Sequence, residues 1–280
     1  MKTYQACIPC IMNLMESTLN KTDLDNLSRQ VILDKFKLDW TKADMSLPPA
    51  RTAGVIYQKL LQDIDQDDLF EPHKKSSIRE SLKLYPSLKK LVEQARDPLD
   101  TAIRISALGN ILDASNPNSY SMDEEIARLF DDRVRGESLE IFREKLSDAD
   151  SLLLLADNAG ETVFDKVLIE TLNVPVIYAV KSAPAFDDAL LADSRQAGID
   201  KVAQLIESGT PYPGTYIPSC TPEFQDLFQV SPLVLAKGQA NFETLSDNNR
   251  DIFFLLKVKC DVISKEIEYP VGSLVLKYHK

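Results

Sequence analysis

The spacing of apolar residues divides the chain into two parts. Up to about residue 145, apolar side chains recur at intervals of three or four, as at Ile8, Ile11, Met12 and Met15, which predicts amphipathic helices. Asp23 and the pair Pro48 and Pro49 are typical of helix starts. Further helices are predicted around residues 74–95, 98–113, 122–132 and 136–148.

From about residue 150, short apolar runs alternate with helical stretches. The predicted strands are Leu152–Ala156, Val174–Val180, Val202–Ile206, Leu233–Ala236 and Ile252–Val258, with a helix over Glu161–Leu172. Such alternation predicts crossover units and a mostly parallel sheet covered on both faces. We therefore expect an α/β protein in which a helical region, 1–148, packs as one body with an α/β region, 149–280.

Composition narrows the range of partners. The 32 Lys and Arg residues are outnumbered by 43 Asp and Glu, giving a net charge of −11, which argues against nucleic acid as a ligand. An acidic protein that binds phosphate needs a local cation, and this directs attention to metals. The apolar runs are far shorter than the ~20 residues that cross a bilayer, and four cysteines do not form a disulfide framework. We expect a cytoplasmic protein with no membrane partner; its oligomeric state is left open.

Polar residues and glycines follow four consecutive predicted strands. The four segments are Asp157-Asn158-Ala159-Gly160-Glu161, Lys181-Ser182 with Asp187-Asp188 beyond, Ser208-Gly209-Thr210 with Gly214 beyond, and Lys237-Gly238. Ligands of α/β proteins bind at the carboxyl ends of strands, so these loops predict a binding site. The alternative is that Asp157, Asn158 and Asp188 are helix caps, and that Gly209 and Gly214 are plain turn residues.

The donor types in these loops predict phosphoryl-group hydrolysis. Oxygens of Asp157, Asn158 and Asp188 suit a hard divalent ion such as Mg²⁺ or Mn²⁺. Lys181 and Lys237 are placed to neutralise phosphate, and Ser208 and the glycine N–H groups to hold its oxygens. Competing chemistries lack their motifs: there is no Walker A sequence, no dinucleotide fingerprint and no GxSxG elbow, and the histidines are His73 and His279 alone.

Two further features are open to more than one interpretation. Gly109 interrupts an amphipathic helix just before Asn110 and Asp113; a helix ending capped by Gly109 is the favoured interpretation, and a pair of side chains on one face is the alternative. Cys7 and Cys10 share a helix face, and they are either small buried hydrophobic residues or a metal or redox pair. The spacing of Cys220 and Cys260 does not link them to this pair.

Together these segments resemble a known family. DNAGE at 157–161, GNILDAS at 109–115, VKSAPAFDD at 180–188, SGTPYPGT at 208–215 and KGQANFETL at 237–245 are similar, in order, to the damage-control phosphatases, which include protein-glutamate methyltransferase-like proteins. The Cys7-Ile8-Pro9-Cys10 segment resembles the stand-alone microbial branch. The resemblance spans nearly the whole chain.

The resemblance implies a helical region on a Rossmann-like α/β/α sandwich. It implies a phosphatase of small phosphorylated metabolites, such as sugar phosphates or damaged phospho-metabolites, that uses Mn²⁺, Co²⁺, Ni²⁺ or Mg²⁺. The matching residues implied as metal ligands are Asp157, Asn158 and Asp188. Asn110 and Asp113 would line the site, Lys237 would contact phosphate, and Glu161 or another site carboxylate would handle a proton.

The chain also departs from the family pattern. Asp187-Asp188-Ala189-Leu190 stands where relatives often read Asn-Asp-Ala-Thr, and Pro211 replaces an expected polar residue. Both departures affect the expected identity of the substrate. The extra negative charge of Asp187 is a candidate ligand for a second metal ion. A non-catalytic regulatory protein that binds a phospho-metabolite is the alternative function. A carboxyl methyltransferase is disfavoured because no glycine-rich loop after the first strand would serve adenosylmethionine.

Overall fold

The computed structural model describes residues 1–20, 24–109 and 138–280. Helices make up the first part of the described chain: α1 (Cys7–Leu19), α2 (Asn26–Trp40), α3 (Pro49–Asp63), α4 (Glu71–Glu93), α5 (Pro98–Leu108) and α6 (Ser138–Asp148). Among the helices of the described residues, none is both long and apolar enough to cross a bilayer. The helix predicted over 122–132 lies outside the described residues.

The remainder of the chain alternates strands with helices. The strands are β1 (Leu152–Leu155), β2 (Val176–Val180), β3 (Gln204–Glu207), β4 (Val234–Lys237), β5 (Ile252–Lys257) and β6 (Leu274–His279). The intervening helices are α7 (Thr162–Thr171), α8 (Leu191–Ala197), α9 (Pro222–Val230), α10 (Gly238–Leu245) and α11 (Asp261–Ile267). The strands form one sheet in the order β3-β2-β1-β4-β5-β6. All pairs are parallel except β5 with β6, so the predicted α/β fold with a mostly parallel sheet is confirmed.

Local sequence signals set several helix starts. The carboxylate of Asp25 accepts a hydrogen bond from Ser28 N at 2.9 Å and caps α2; Asp23, expected to be this cap, lies outside the described residues. Pro49 is the first residue of α3, as its fixed φ favours. Thr221 caps α9 by accepting from Phe224 N at 3.2 Å.

Both faces of the sheet are buried, which explains why its central strands are continuously apolar. All four leucines of β1 are buried. Leu152 and Leu154 belong to one core cluster, and Leu153 and Leu155 belong to another on the opposite face. The first cluster also contains Phe142 of α6. Residues on both sides of the predicted boundary at 148 thus share a core, and the boundary itself stays a prediction.

A third apolar cluster joins helices α1–α3 to a loop beyond β2. Tyr57 of α3 stacks on Phe186 with ring centroids 4.3 Å apart, and Phe70 meets Phe186 edge to face at 6.0 Å. Phe186 has a left-handed backbone with φ of 55°, which is uncommon for an aromatic residue. The aromatic stack therefore holds the helical region against the loop that carries Asp187 and Asp188.

A buried lysine fixes the other end of the same loop. Lys74 Nζ on α4 lies 2.6 Å from Asp68 Oδ2 and 3.1 Å from Asp193 Oδ2, and its side chain is fully buried. Asp193 Oδ2 also accepts from Leu190 N at 3.0 Å at the start of α8. Because Leu190 follows Asp188 by two residues, this ion cluster anchors the segment that leaves the strand-end loop.

This ion cluster predicts unequal effects for two neighbouring lysines. Lys74→Met keeps the apolar stem but leaves Asp68 and Asp193 without their cation, so the free energy of unfolding should fall by about 3–5 kcal/mol. Lys75→Met removes only the exposed i,i+4 pair with Glu71 and should change it by less than ~0.5 kcal/mol. Urea unfolding of both variants measures the difference, and equal effects would contradict a stabilising role for the buried cluster.

Candidate active site

The sheet order places a topological switch point between β1 and β4. β1 pairs with β2 on one side and with β4 on the other, so the winding of the chain reverses there, and ligands bind at such a switch point. Asp157 follows β1, and Gly238 follows β4. Gly238 has φ of +77°, and a Cβ atom built on it would overlap the Asp157 carboxylate. Only glycine therefore allows the β4 loop to approach Asp157 so closely.

An isolated antiparallel bridge brings the predicted metal ligands together. Asn158 pairs with Asp188 through two backbone hydrogen bonds of 2.8 Å, one from Ala159 N to Asp187 O and one from Ala189 N to Asp157 O. Asp157, Asn158 and Asp188 are all buried. The bridge thus holds three residues with oxygen-bearing side chains, from two strand ends, next to one another.

The side chains of Asn158 and Asp188 do not act as helix caps, which was the alternative interpretation. Asn158 precedes the 3₁₀ turn Ala159–Glu161, yet its side chain accepts no capping hydrogen bond. Its amide nitrogen instead donates to Glu161 Oε1 at 2.9 Å. Asp188 lies before the extended residue Leu190, and the cap of α8 comes from Asp193. Neither Asn158 nor Asp188 therefore uses its side chain to start a helix.

Lys181 and Asp188 form a buried ion pair at the end of β2. Lys181 Nζ lies 3.2 Å from Asp188 Oδ2 and donates to Ala156 O at 3.0 Å. Burial raises the pKa of Asp188 to about 6, although the Lys181 ammonium opposes this effect. A hydrogen bond from the Gly214 backbone also favours the ionised form. The Lys181 ammonium is thus the cation that Asp188 Oδ2 faces in this structure.

Lys237 is the last residue of β4 and is fully buried. Its ammonium donates to Ser106 O at 3.0 Å, to Glu161 Oε2 at 3.1 Å and to Asp165 Oδ1 at 2.6 Å. Burial alone would lower the pKa of Lys237, but the Asp165 and Glu161 carboxylates outweigh it and raise this pKa. The predicted contact of Lys237 with substrate phosphate stays a prediction, and in this structure the ammonium has three protein acceptors.

Glu161 connects this buried lysine to Asn158. It is fully buried and accepts hydrogen bonds from Lys237 and from Asn158. Burial raises the pKa of Glu161 to about 8; the Lys237 cation opposes the shift, and the nearby Asp157 and Asp165 carboxylates add to it. Its predicted part in proton transfer stays a prediction, since both carboxylate oxygens are occupied by protein donors.

The loop after β3 is held by its own hydrogen bonds. Ser208 Oγ donates to Val180 O at 2.9 Å, so this hydroxyl is used within the fold. Gly209 has φ of +86°, and a Cβ atom there would overlap Thr221. Ser182 N donates to Thr210 O at 3.1 Å, which joins the β2 and β3 loops. Phosphate binding by Ser208 and Gly209 stays a prediction.

Gly109 approaches the site from the helical region. It is the C-cap of α5 with a right-handed φ of −50°, so the predicted helix end is present without the left-handed cap that glycine often provides. A Cβ atom on Gly109 would lie 3.1 Å from three atoms of Glu161. The end of α5 therefore packs directly on Glu161. Asn110 and Asp113 lie outside the described residues, and their roles stay predictions.

The N-terminal cysteines lie close to a third cysteine. Cys7 is half-buried, Cys10 is exposed, and the four cysteines are free thiols. Burial raises the pKa of Cys7, and Glu243, Cys260 and Cys10 are near enough to raise it further. In the described part of the chain, no three His, Cys, Asp or Glu residues are grouped to hold a metal. The metal or redox role of Cys7 and Cys10 stays a prediction.

Sequence reasoning missed several polar residues around the site. Asp165 accepts from Ser106 Oγ at 2.6 Å and from Tyr178 OH at 2.8 Å. Asn241 Nδ2 donates to Ala156 O at 3.1 Å, and Lys259 lies near enough to Glu161 to lower its pKa. One signal was available: Asp165 is charged, lies four residues after Glu161, and interrupts the apolar face of α7.

The donor types of the predicted ligands are suited to a hard divalent ion. Asp157, Asn158 and Asp188 supply carboxylate and amide oxygens, which are the donors that Mg²⁺ and Mn²⁺ prefer. In the described residues no three His, Cys, Asp or Glu side chains are grouped to hold a metal, so the fit rests on the donor types of two carboxylates and one amide. Asp188 Oδ2 faces the Lys181 ammonium at 3.2 Å, and a divalent ion would share or replace this contact.

The fold and this group of residues define a doubly wound α/β protein with a buried polar site at its switch point. The sequence matches the family described as the damage-control phosphatase ARMT1-like domain over residues 3–275. The chain belongs to this family.

Its relatives match over nearly their full lengths. A damage-control phosphatase of Pyrococcus horikoshii is 30% identical, over 100% of this chain and 99% of that protein. A damage-control phosphatase of Archaeoglobus fulgidus is 28% identical, over 99% of each. The crystal structure of a DUF89 family protein from Pyrococcus horikoshii superposes with a TM-score of 0.90 at 30% identity, covering 100% of both chains. The family resemblance inferred from the strand-end motifs is confirmed.

The close approach of Gly238 to Asp157 can be tested against a matched glycine. Gly272 also has a left-handed backbone, with φ of +90°, but no atom lies within 4 Å of the position that a Cβ atom would take there. Gly272→Ala should cost about 1–2 kcal/mol from backbone strain alone. Gly238→Ala should cost about 1–3 kcal/mol more because the methyl group displaces Asp157. Thermal unfolding measures both, and equal losses would contradict the close approach.

Proposed function

We propose that the protein is a divalent-metal-dependent phosphatase that hydrolyses phosphomonoesters of small metabolites. The observation that carries the proposal is the bridge between Asn158 and Asp188, which groups Asp157, Asn158 and Asp188 at the switch point of the sheet. Family membership supports phosphatase chemistry, and the names of the relatives from Pyrococcus horikoshii and Archaeoglobus fulgidus support damaged metabolites as the substrate class.

The proposed roles follow from position and charge. Asp157, Asn158 and Asp188 would hold the ion, whether Mn²⁺, Co²⁺, Ni²⁺ or Mg²⁺. When bound, such an ion polarises a phosphoryl oxygen and lowers the pKa of a water molecule. Lys181, which lies 3.2 Å from Asp188, adds positive charge beside the phosphate site in a protein whose net charge is −11. This local charge offsets the unfavourable field that an anionic substrate meets.

Loss of either charged ligand should abolish turnover. Phosphate release is measured with an aryl phosphate and a panel of sugar phosphates, using metal-stripped protein with each divalent ion added back. Asp157→Ala and Asp188→Ala should lower kcat/KM by at least about 100-fold, since even outer partners of metal ligands are worth 10–100-fold. Asp226→Ala, on α9 and away from the strand-end loops, is the control and should retain activity.

Two results of this assay would contradict the proposal. Folded wild-type protein that binds a divalent ion or phosphate but releases no phosphate from any substrate would refute the enzyme and favour the non-catalytic binding protein. Activity that survives Asp157→Ala and Asp188→Ala unchanged would refute the assignment of these ligands.

Metal binding should also be visible as stability, without any substrate. A ligand at 100 times its Kd stabilises the folded state by about 2.7 kcal/mol, so added Mn²⁺ should raise the Tm of the stripped wild-type protein. Asp188→Asn keeps the shape of the side chain but removes its charge, and should largely remove this rise. An equal rise in Asp188→Asn would place the stabilising ion elsewhere.

A further inference from the structure

Lys237 has used its whole donor capacity inside the protein. A lysine ammonium has three N–H donors and no acceptor. Here the three acceptors are Ser106 O, Glu161 Oε2 and Asp165 Oδ1, at 3.0, 3.1 and 2.6 Å. The side chain is fully buried, as are those of both carboxylates. A substrate phosphate could reach this ammonium only by displacing one of these partners.

Asp165 is the hydrogen-bond partner that anchors Lys237 most closely. Its Oδ1 accepts from Lys237 Nζ and from Ser106 Oγ, each at 2.6 Å, while Oδ2 accepts from Tyr178 OH at 2.8 Å. These donors come from β4, α5 and β2 respectively. Asp165 therefore has donors on both oxygens and is held by three separate elements of the fold.

Glu161 links this lysine to a predicted metal ligand. One carboxylate oxygen accepts from Lys237, and the other accepts from Asn158 Nδ2 at 2.9 Å. An asparagine amide presents a donor on one branch and an acceptor on the other. Because Nδ2 is the atom that donates to Glu161, Oδ1 points away from this residue. That oxygen is the atom that a hard cation would bind.

We propose that Tyr178, Ser106, Asp165, Lys237 and Glu161 form a buried chain of hydrogen bonds, here called the Asp165 relay, that fixes the Asn158 amide with its oxygen available to a divalent ion. Asp165 and Lys237 are then positioning residues, and Lys237 is not a phosphate ligand. The relay rests on the proposed function for the identity of the ion, but its effect on Asn158 exists in the metal-free protein.

The free energy needed to bury three charged groups supports a positioning role for Asp165 and Lys237. Buried ion pairs add little net stability compared with well-packed apolar residues of similar volume. The relay nevertheless contains one cation and two carboxylates, all fully buried, and contacts the Asn158 side chain through Glu161. Hydrogen-bond partners of metal ligands commonly set ligand orientation, and their loss lowers metal affinity by about 10–100-fold.

The first test uses metal-free protein. Exchange of the Asn158 side-chain amide protons is followed by NMR, with the resonances assigned by their loss in Asn158→Asp. Wild-type protein should protect these protons, and Asp165→Asn should exchange them at least ~10-fold faster because a charged bond of the relay is lost. Asp251→Asn is the control: it removes a carboxylate 2.9 Å from a different lysine, Lys145, just before β5 at the opposite end of the parallel strands, and should leave Asn158 unchanged.

The second test measures the Kd of Mn²⁺ by titration calorimetry. Asp165→Asn should raise it by about 10–100-fold, and Tyr178→Phe should raise it less but in the same direction. Tyr85→Phe, which removes a hydroxyl bonded to Glu170 on the surface, should leave it unchanged. Unchanged Asn158 protection, or an unchanged Kd, in folded Asp165→Asn would overturn the relay.

Two outcomes separate the relay from the proposed function. If wild-type protein binds no divalent ion, the proposed metal-dependent function fails, while amide exchange in Asp165→Asn still decides whether the relay fixes Asn158. If Asp165→Asn does not fold, Tyr178→Phe and Ser106→Ala take its place, because each removes one donor to Asp165. No change in Asn158 exchange in either variant would then overturn the relay.

Discussion

Two backbone hydrogen bonds hold the site together. They join Ala159 to Asp187 and Ala189 to Asp157, and they connect loops that leave neighbouring parallel strands. Parallel strands β1 and β2 fix the spacing of these loops but do not bond them beyond the sheet. Without the extra bridge, Asp157 and Asp188 would belong to separate loops free to move apart under their mutual repulsion. With it, two carboxylates are confined to one small volume, and the surrounding residues must stabilise the resulting charge.

The protein balances that charge with buried lysines from two strand ends. Lys181 follows β2 and pairs with Asp188, whereas Lys237 ends β4 and pairs with Glu161 and Asp165. The pKa of Glu161 is nevertheless raised to about 8 and that of Asp188 to about 6. Burial thus outweighs the lysines at both carboxylates. Groups whose pKa is shifted in this way by burial and by charged neighbours are concentrated at functional sites.

The sequence predicted the strand-end residues well because each lies next to a strand in the chain. Asp157 follows one apolar run and Lys237 ends another. Because the strands are parallel, the loops after them lie at one edge of the sheet. β6 was not predicted, since an antiparallel partner of β5 lacks the crossover pattern by which the other strands were found. The relay was also missed, because Ser106, Asp165 and Lys237 meet only through tertiary packing. Their separation along the chain leaves no local pattern, apart from a charge on the apolar face of α7.

Phe186 connects the apolar cluster of helices α1–α3 to the loop that carries Asp188. It is part of the aromatic cluster of α1–α3 and lies two residues before Asp188, in a backbone conformation that an aromatic residue seldom adopts. Opening of the helical cluster would remove the Tyr57 ring that holds Phe186 and relax the bridge loop. We therefore expect the two regions to open together. An ion that tightens the loop must, by thermodynamic reciprocity, also disfavour the opening of the N-terminal helices.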